Sequence, residues 1–260
     1  VLLEKPMCTT LPDSLEVLEK SKDHGGLVWV GLEYRYMSPI QSLIKHIEEI
    51  GDIRMLSIRE HRFPFLEKVD NWNRFNENTG GTLVEKCCHF FDLMNLIVPS
   101  KPIKVYASGG QDVNHLDEKY DGKTPDIIDN SFVIVDYQDG QRAMLDLCMF
   151  AEAGKYEQEI VLTGDQGKLE THIPGNELLL TNRKNYSLKT IEVKDDPRVK
   201  EVGFHHGASY IEHLELIDCI KNKKKPLVDC QKGLDSIILG LAAQESIQTG
   251  APVFLENFLN

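Results

Sequence analysis

The chain has 260 residues, 41% of them hydrophobic, and its 29 basic against 41 acidic side chains give a net charge of −12, which argues against a phosphate-backbone partner. Its apolar runs fall far short of the ~18 residues that cross a bilayer, so neither nucleic acid nor membrane is expected as a partner. Six sparse cysteines (Cys8, Cys87, Cys88, Cys148, Cys219 and Cys230) lack the paired spacing of a disulfide scaffold or zinc ribbon and read as reduced thiols of a cytoplasmic protein.

Val1 to Leu3 run directly into Glu4, Lys5 and Pro6, the pattern of a parallel strand with charged groups at its carboxyl end. A chain that opens inside a strand is expected to be part of a longer one. Leu15 and Leu18 predict a helix over Pro12 to Ser21, stopped by Gly25-Gly26, and LVWVGLEYRY (Leu27 to Tyr36) predicts a second strand, which makes one βαβ unit. Pro39 to Ile50 reads as a helix capped by Ser38 and closed by Gly51. The character of the chain then changes. IRMLSIREHRF, IKVYASG, SFVIVDY, RAMLDLCMF, EIVLTG, ELLLTN and SLKTIEV are β-rich runs separated by turn residues, the pattern of a mostly antiparallel sheet. Two amphipathic helices close the chain. Tyr210 to Asn222 is expected to turn Ile211, Leu214, Ile217 and Ile220 inward, and Gly233 to Thr249 to bury Leu234, Ile237, Ile238 and Leu241. The lysines from Lys221 to Lys225 end the first of these and read as solvated partners of its dipole.

One helix among the strands, Thr82 to Val98, is apolar around most of its circumference and is expected to be buried. Glu85, His89 and Asp92 fall on it at i, i+4 and i+7, a single narrow polar stripe. Such groups are costly inside a protein unless they pair or face a polar cavity. Two readings stand: acid-base chemistry at His89, or a partly solvated structural face. No metal is expected, because Glu85 to His89 lacks the second histidine of a helical zinc pair and Cys87 and Cys88 point to different sides.

The EKP at Glu4 to Pro6, followed by a Gly-Gly-led helix with an acid, a His four later and an Asp three after that, resembles the glucose-fructose oxidoreductase and inositol dehydrogenase family (Gfo/Idh/MocA). VGLEYRYMSP, VLTGDQGKLE and AAQESIQTGAPVFL look like further landmarks of that family, in its order, and together they cover nearly the whole chain. The resemblance implies an α/β plus α+β protein. Residues 1–36 would be the C-terminal remnant of a dinucleotide-binding Rossmann domain, and residues 37–260 a substrate-binding and oligomerisation domain built on an open, mostly antiparallel sheet with helices on one face. It implies NAD or NADP as cofactor, bound mainly by residues ahead of Val1 and touched here by Glu4, Lys5 and Pro6, the last after a cis bond. It also implies a small polyol, sugar, inositol or cyclic diol as substrate and a homodimer or homotetramer formed through the sheet face.

Within that scheme His89 is the expected base, Lys5 the cation that stabilises an alkoxide, and Glu85 the third catalytic group. Glu85 stands where the family usually has Asp, and Cys87 where it usually has Gly. Asp92 is expected to orient His89 by accepting its other ring proton, and Arg35 to hold a substrate oxygen. Arg62, Trp72, Arg74, His205 and His206 are further candidates for the pocket edge. A sheet-mediated, non-catalytic assembly module with a remnant site is the alternative.

Overall fold

The structure is a computed structural model that describes residues 1–258. Its first strand, β1 (Leu2–Leu3), leads through helix α1 (Leu11–Asp23) to β2 (Trp29–Val30), and the two strands pair in parallel, Leu2 with Trp29 and Leu3 with Val30. Thr10 starts α1 by accepting the backbone N–H of Asp13 at 3.3 Å.

The long second strand expected over Leu27 to Tyr36 is not there. Only Trp29–Val30 pairs, and Glu33–Tyr36 winds into a 3-10 turn. β1 is too short to template more. Once Gly31 N–H has reached the Leu3 carbonyl at 2.7 Å, the following backbone satisfies itself locally, Leu32 N–H on Val30 and Met37 N–H on Tyr34. That early turn places Glu33, Tyr34 and Arg35 in the interior. Helix α2 (Ser38–Lys45) follows, shorter than expected and with Met37 rather than Ser38 at its cap. The remaining residues to Ile50 form a second 3-10 turn that closes on Gly51 at φ 74°.

The main sheet has nine strands: β3 (Ile53–His61), β4 (Pro102–Gly110), β5 (Asn130–Tyr137), β6 (Arg142–Cys148), β7 (Gln158–Gly164), β8 (Gly167–Ile173), β9 (Glu177–Asn182), β10 (Ser187–Glu192) and β11 (Val253–Phe254). They lie in the order β10-β9-β8-β7-β3-β6-β5-β4-β11, and β3 with β6 is the single parallel pair of this sheet among the described residues. Alternation along β5, β6, β7 and β8 and most of β3 separates two faces. Leu56, Ile58, Val133, Val135, Leu145 and Leu162 point to the core, whereas Met55, Tyr106, Phe132 and Ile134 stand exposed on the other side.

The remaining helices are α3 (Asn76–Thr79), α4 (Thr82–Glu85), α5 (Cys88–Ile97), α6 (Ala208–Lys221), α7 (Cys230–Thr249) and α8 (Leu255–Phe258). The long α7 runs between α5, β4 and α1 and is the spine of the core. Gly240 lets it approach α4, since a Cβ there would sit 2.7 Å from the Leu83 carbonyl. Contrary to expectation, Ile217 and Ile220 of α6 are exposed. α6 packs chiefly on the Glu33–Tyr36 turn rather than across the sheet, so only Ala208, Ile211, Glu212 and Cys219 are buried.

Candidate active site

The expected continuous helix from Thr82 to Val98 is two helices, interrupted at Lys86 and Cys87, and the polar stripe is divided between them: Glu85 ends α4, while His89 and Asp92 lie on α5. Glu85 keeps Lys5 close. The Lys5 ammonium donates to the Glu85 carbonyl at 2.9 Å and pairs with its Oε1 at 3.2 Å, and the Lys5–Pro6 peptide is cis. Burial pulls the Lys5 pKa down, but the Glu85 charge and hydrogen bond together with the Cys88 thiol more than offset it, so the ammonium stays protonated.

His89 lies in the interior with the Tyr34 ring stacked on it at 4.0 Å and 7°. Its Nδ1 is enclosed without a partner, and its Nε2 faces Glu33 Oε1 at 3.8 Å. Burial drives its pKa well below the usual value, the nearby Lys5 and Lys86 charges add to that, and Glu33 opposes it. The imidazole is therefore neutral at physiological pH, as a general base must be. Burial works against ionisation of Glu33, yet the His89 and His205 imidazoles outweigh it and bring the carboxyl to about 2. His205 makes the nearer contact, with Nδ1 2.9 Å from the same Oε1.

Asp92 does not reach His89. It forms a two-pronged ion pair with Arg35, Nε donating to Oδ2 at 3.0 Å and Nη2 to Oδ1, and both side chains are buried. The expectation that Asp92 orients His89 is thus replaced by a pairing with Arg35. His89 and Asp92 share a face of α5 and meet the same Glu33–Tyr36 turn one helical turn apart, His89 at Glu33 and Tyr34 and Asp92 at Arg35, so the carboxylate is taken by the guanidinium and not by the imidazole. The pair locks α5 to that turn, and thereby sets Glu33 and Tyr34 against His89. Burial pushes the Asp92 carboxyl up and the Arg35 guanidinium opposes it.

A second buried cluster supports the site from below. Lys86 donates to the Tyr34 hydroxyl at 2.9 Å and pairs with Glu60 at 3.0 Å, and Arg62 reaches the same Glu60 oxygen at 3.4 Å. Burial works against the Lys86 charge, but Glu60 and Tyr34 prevail and raise its pKa. Of the other sequence candidates, Arg74 is committed to Glu118 at 2.9 Å, Trp72 is exposed, and His206 occupies a left-handed turn at φ 51°. A groove of about 1190 Å³ is lined in part by Arg35, Gln41, Arg198 and Lys232 but not by His89 or Lys5, so the reactive groups do not open into it.

Sequence reading passed over Glu33, Tyr34, Glu60, Lys86 and Glu212. Glu33 and Tyr34 fall within the run that reads as a strand, and only the arrival of charge at the end of that apolar run points elsewhere. Glu212 accepts from the Trp29 indole N–H at 3.0 Å, and burial, aided by Glu33 and Glu4, lifts it from 4.5 to about 7. Because the folded pKa exceeds the unfolded one, the native state retains a proton between those values that the unfolded chain has lost, and stability falls as pH rises through that window. At about 1.4 kcal/mol per pKa unit the penalty reaches roughly 3 kcal/mol above pH 7. Glu212→Gln, free of this titration, is expected to gain on the wild type by that amount between pH 4 and pH 8. Urea midpoints of both proteins across that range test it, and parallel curves would count against a raised Glu212.

Glu4 to Pro6 stand where ligands of parallel sheets bind, beyond the carboxyl end of β1, and a cationic Lys5 there suits the nicotinamide end of a dinucleotide. Gly80-Gly81 does not suit the pyrophosphate. Added Cβ atoms would meet the Thr9 carbonyl at 2.8 Å and the Gln244 amide at 2.1 Å, so that space is already filled by protein.

The sheet, its layer of helices and the Lys5, Glu85 and His89 group define a protein class that comparison with known proteins identifies. Residues 44–255 match the oxidoreductase family, C-terminal alpha/beta domain, and the chain belongs to that family, Gfo/Idh/MocA. Among its relatives, the putative oxidoreductase YteT of Bacillus subtilis (strain 168) is 34% identical over 114 residues, which are 42% of this chain and 26% of YteT. The myo-inositol 2-dehydrogenase of Thermotoga maritima is 24% identical over 265 residues, all of this chain and 73% of that enzyme. A levoglucosan dehydrogenase solved with NADH and levoglucosan superposes with a TM-score of 0.83 at 16% identity, over 98% of this chain and 73% of that one. The chain thus spans about a quarter of YteT and nearly three quarters of the other two.

Proposed function

We propose that this chain carries the substrate-side chemistry of a dehydrogenase that oxidises a hydroxyl-bearing carbon of a polyol, sugar, inositol or cyclic diol, with NAD or NADP as the hydride acceptor. The observation that carries the reading is a neutral, buried imidazole on the helix following the carboxylate that holds a lysine ammonium in place. Family membership and the names of the two dehydrogenases above support the reaction and the substrate class.

Glu4, Lys5 and Pro6 would hold the nicotinamide end of the cofactor, which would supply the hydride acceptor. His89 Nε2 removes the hydroxyl proton, since Nδ1 is enclosed. Lys5 stabilises the charge that develops on the substrate oxygen, and it also discourages protonation of His89 before substrate arrives. Glu85 keeps the ammonium aimed and charged. Tyr34, clamped through its hydroxyl by Lys86, keeps the imidazole plane fixed. The test is NADH or NADPH formation with a panel of polyols, sugars and cyclic diols, run on this chain and on the protein expressed through its full reading frame. Turnover with a member of the panel is expected, and none with any alcohol in either form would reject the reading.

The exposed sheet face favours self-association as well. Tyr106, Phe132 and Ile134 form an apolar block on β4 and β5, with Met55 exposed on the same side beyond β6, and the ion pairs Lys104–Asp136 and His61–Asp146 flank it. Phe132→Asp is expected to lower the sedimenting mass to that of a monomer without altering the circular dichroism spectrum, and an unchanged mass would reject assembly through this face. A protein that assembles but turns over nothing would fit the module alternative. No helix among the described residues is long and apolar enough to cross a membrane.

A further inference from the structure

A buried base must return its proton to water before it can act again. His89 is 2% exposed, its ring is covered by Tyr34, and Nδ1 is enclosed, so the proton has to leave through Nε2. That nitrogen faces Glu33 Oε1 at 3.8 Å, and on the far side of the same oxygen lies His205 Nδ1 at 2.9 Å. The side chain of Glu33 is 8% exposed and that of His205 is 40% exposed. One carboxylate oxygen therefore connects an enclosed imidazole with one that meets solvent.

The geometry points to a proton outlet running from His89 through Glu33 to His205 and water. The inference rests on the dehydrogenase reading of His89. Each step balances. The substrate hydroxyl proton moves to His89 Nε2 as the carbon loses its hydride. The Nε2–H bond then breaks as an O–H bond forms at Glu33 Oε1, and that bond breaks as His205 Nδ1 takes the proton. His205, now an imidazolium, releases its Nε2 proton to water, and its half-exposed ring turns to present a bare nitrogen again. No electrons move along the outlet.

The 3.8 Å contact must shorten by about 1 Å for transfer, and catalytic contacts of this kind commonly tighten when substrate binds. The other charged groups around these side chains offer no second route. Lys5 and Lys86 are ammonium cations with no free lone pair, and Asp92 is occupied by Arg35. Glu212 feels the Glu33 charge but is tied to Trp29, Glu4 influences Glu212 rather than His89, and the Ser209 hydroxyl meets the His205 ring at 3.3 Å while its carbonyl holds His213. Glu33 and His205 are thus relay residues acting through His89.

The test begins with His205→Ala in the protein expressed through its full reading frame, assayed with and without added imidazole. The substitution is at a half-exposed position, and a shortfall of about tenfold or more in kcat, with KM unchanged, is expected. Free imidazole should restore the rate in proportion to its concentration, which no structural role for His205 would produce. An unchanged kcat, or a loss that imidazole does not relieve, overturns the outlet. Independently of turnover, nitrogen NMR of the 260-residue chain should show that Glu33→Gln shifts the titration of the His89 ring and moves the His205 Nδ1 resonance. Rings unaffected by that change also overturn the outlet. Coupled rings in a protein that oxidises no alcohol would mean that the dehydrogenase reading had failed instead.

Discussion

His89→Asn is expected to lower kcat by about 10²- to 10⁴-fold, the usual contribution of a positioned general base, while KM changes little. Asparagine fits the space and stays neutral, but it cannot take a proton. The variant should remain folded, because Nδ1 makes no hydrogen bond that the change would break and the wild-type imidazole is already uncharged. Initial rates of reduced-nicotinamide formation, with thermal melting as the control for folding, measure the effect. A kcat within about threefold of wild type would remove His89 from the reaction and with it the proposed chemistry.

Lys86→Met is expected to cost about 3–5 kcal/mol of stability, a large share of the roughly 5–15 kcal/mol that holds a domain together. The reason lies in Glu60, whose side chain is 0% exposed and whose Oε2 already lacks a partner. Without Lys86 the carboxylate would keep only the more distant Arg62, leaving a nearly uncompensated charge in the core. The Tyr34 hydroxyl would lose its donor as well. Replacing both charges by apolar groups, as in Lys86→Met with Glu60→Leu, should recover most of the loss, since a buried pair often contributes little beyond a well-packed apolar equivalent. Urea denaturation midpoints of the single and double variants decide it. A single variant within 1 kcal/mol of wild type would show that Glu60 relaxes toward water, and the cluster would then not be a rigid support for Tyr34 and His89.

The structure changes how the candidate site divides its labour. Sequence spacing grouped Glu85, His89 and Asp92 as one stripe, yet each carboxylate serves a different partner: Glu85 holds Lys5, and Asp92 holds Arg35. The group that faces His89 is Glu33, which arrives from a turn more than fifty residues earlier in the chain. A stripe on a helix predicts which side chains share a face. It does not predict what comes to meet them, because that depends on how neighbouring elements end.

The sequence by itself determined the elements with strong local periodicity. Alternating β-branched and aromatic residues marked the strands of the sheet, and β3, β5, β6 and β7 form where those runs occur, because alternation has only one way to bury one face. The position of Lys5 at a strand end and of His89 on a buried helix was equally legible, since both follow from patterns a few residues long. Tertiary structure alone decided the rest. Whether Leu27 to Tyr36 stays extended depended on the length of its partner β1, and whether Ile217 and Ile220 are covered depended on where α6 docks. The pairings of Arg35 with Asp92, Lys86 with Glu60, and His89 and His205 with Glu33 join residues from distant parts of the chain. Buried charges settle on whichever opposite partner the packed fold delivers within reach, and no local pattern encodes that distance.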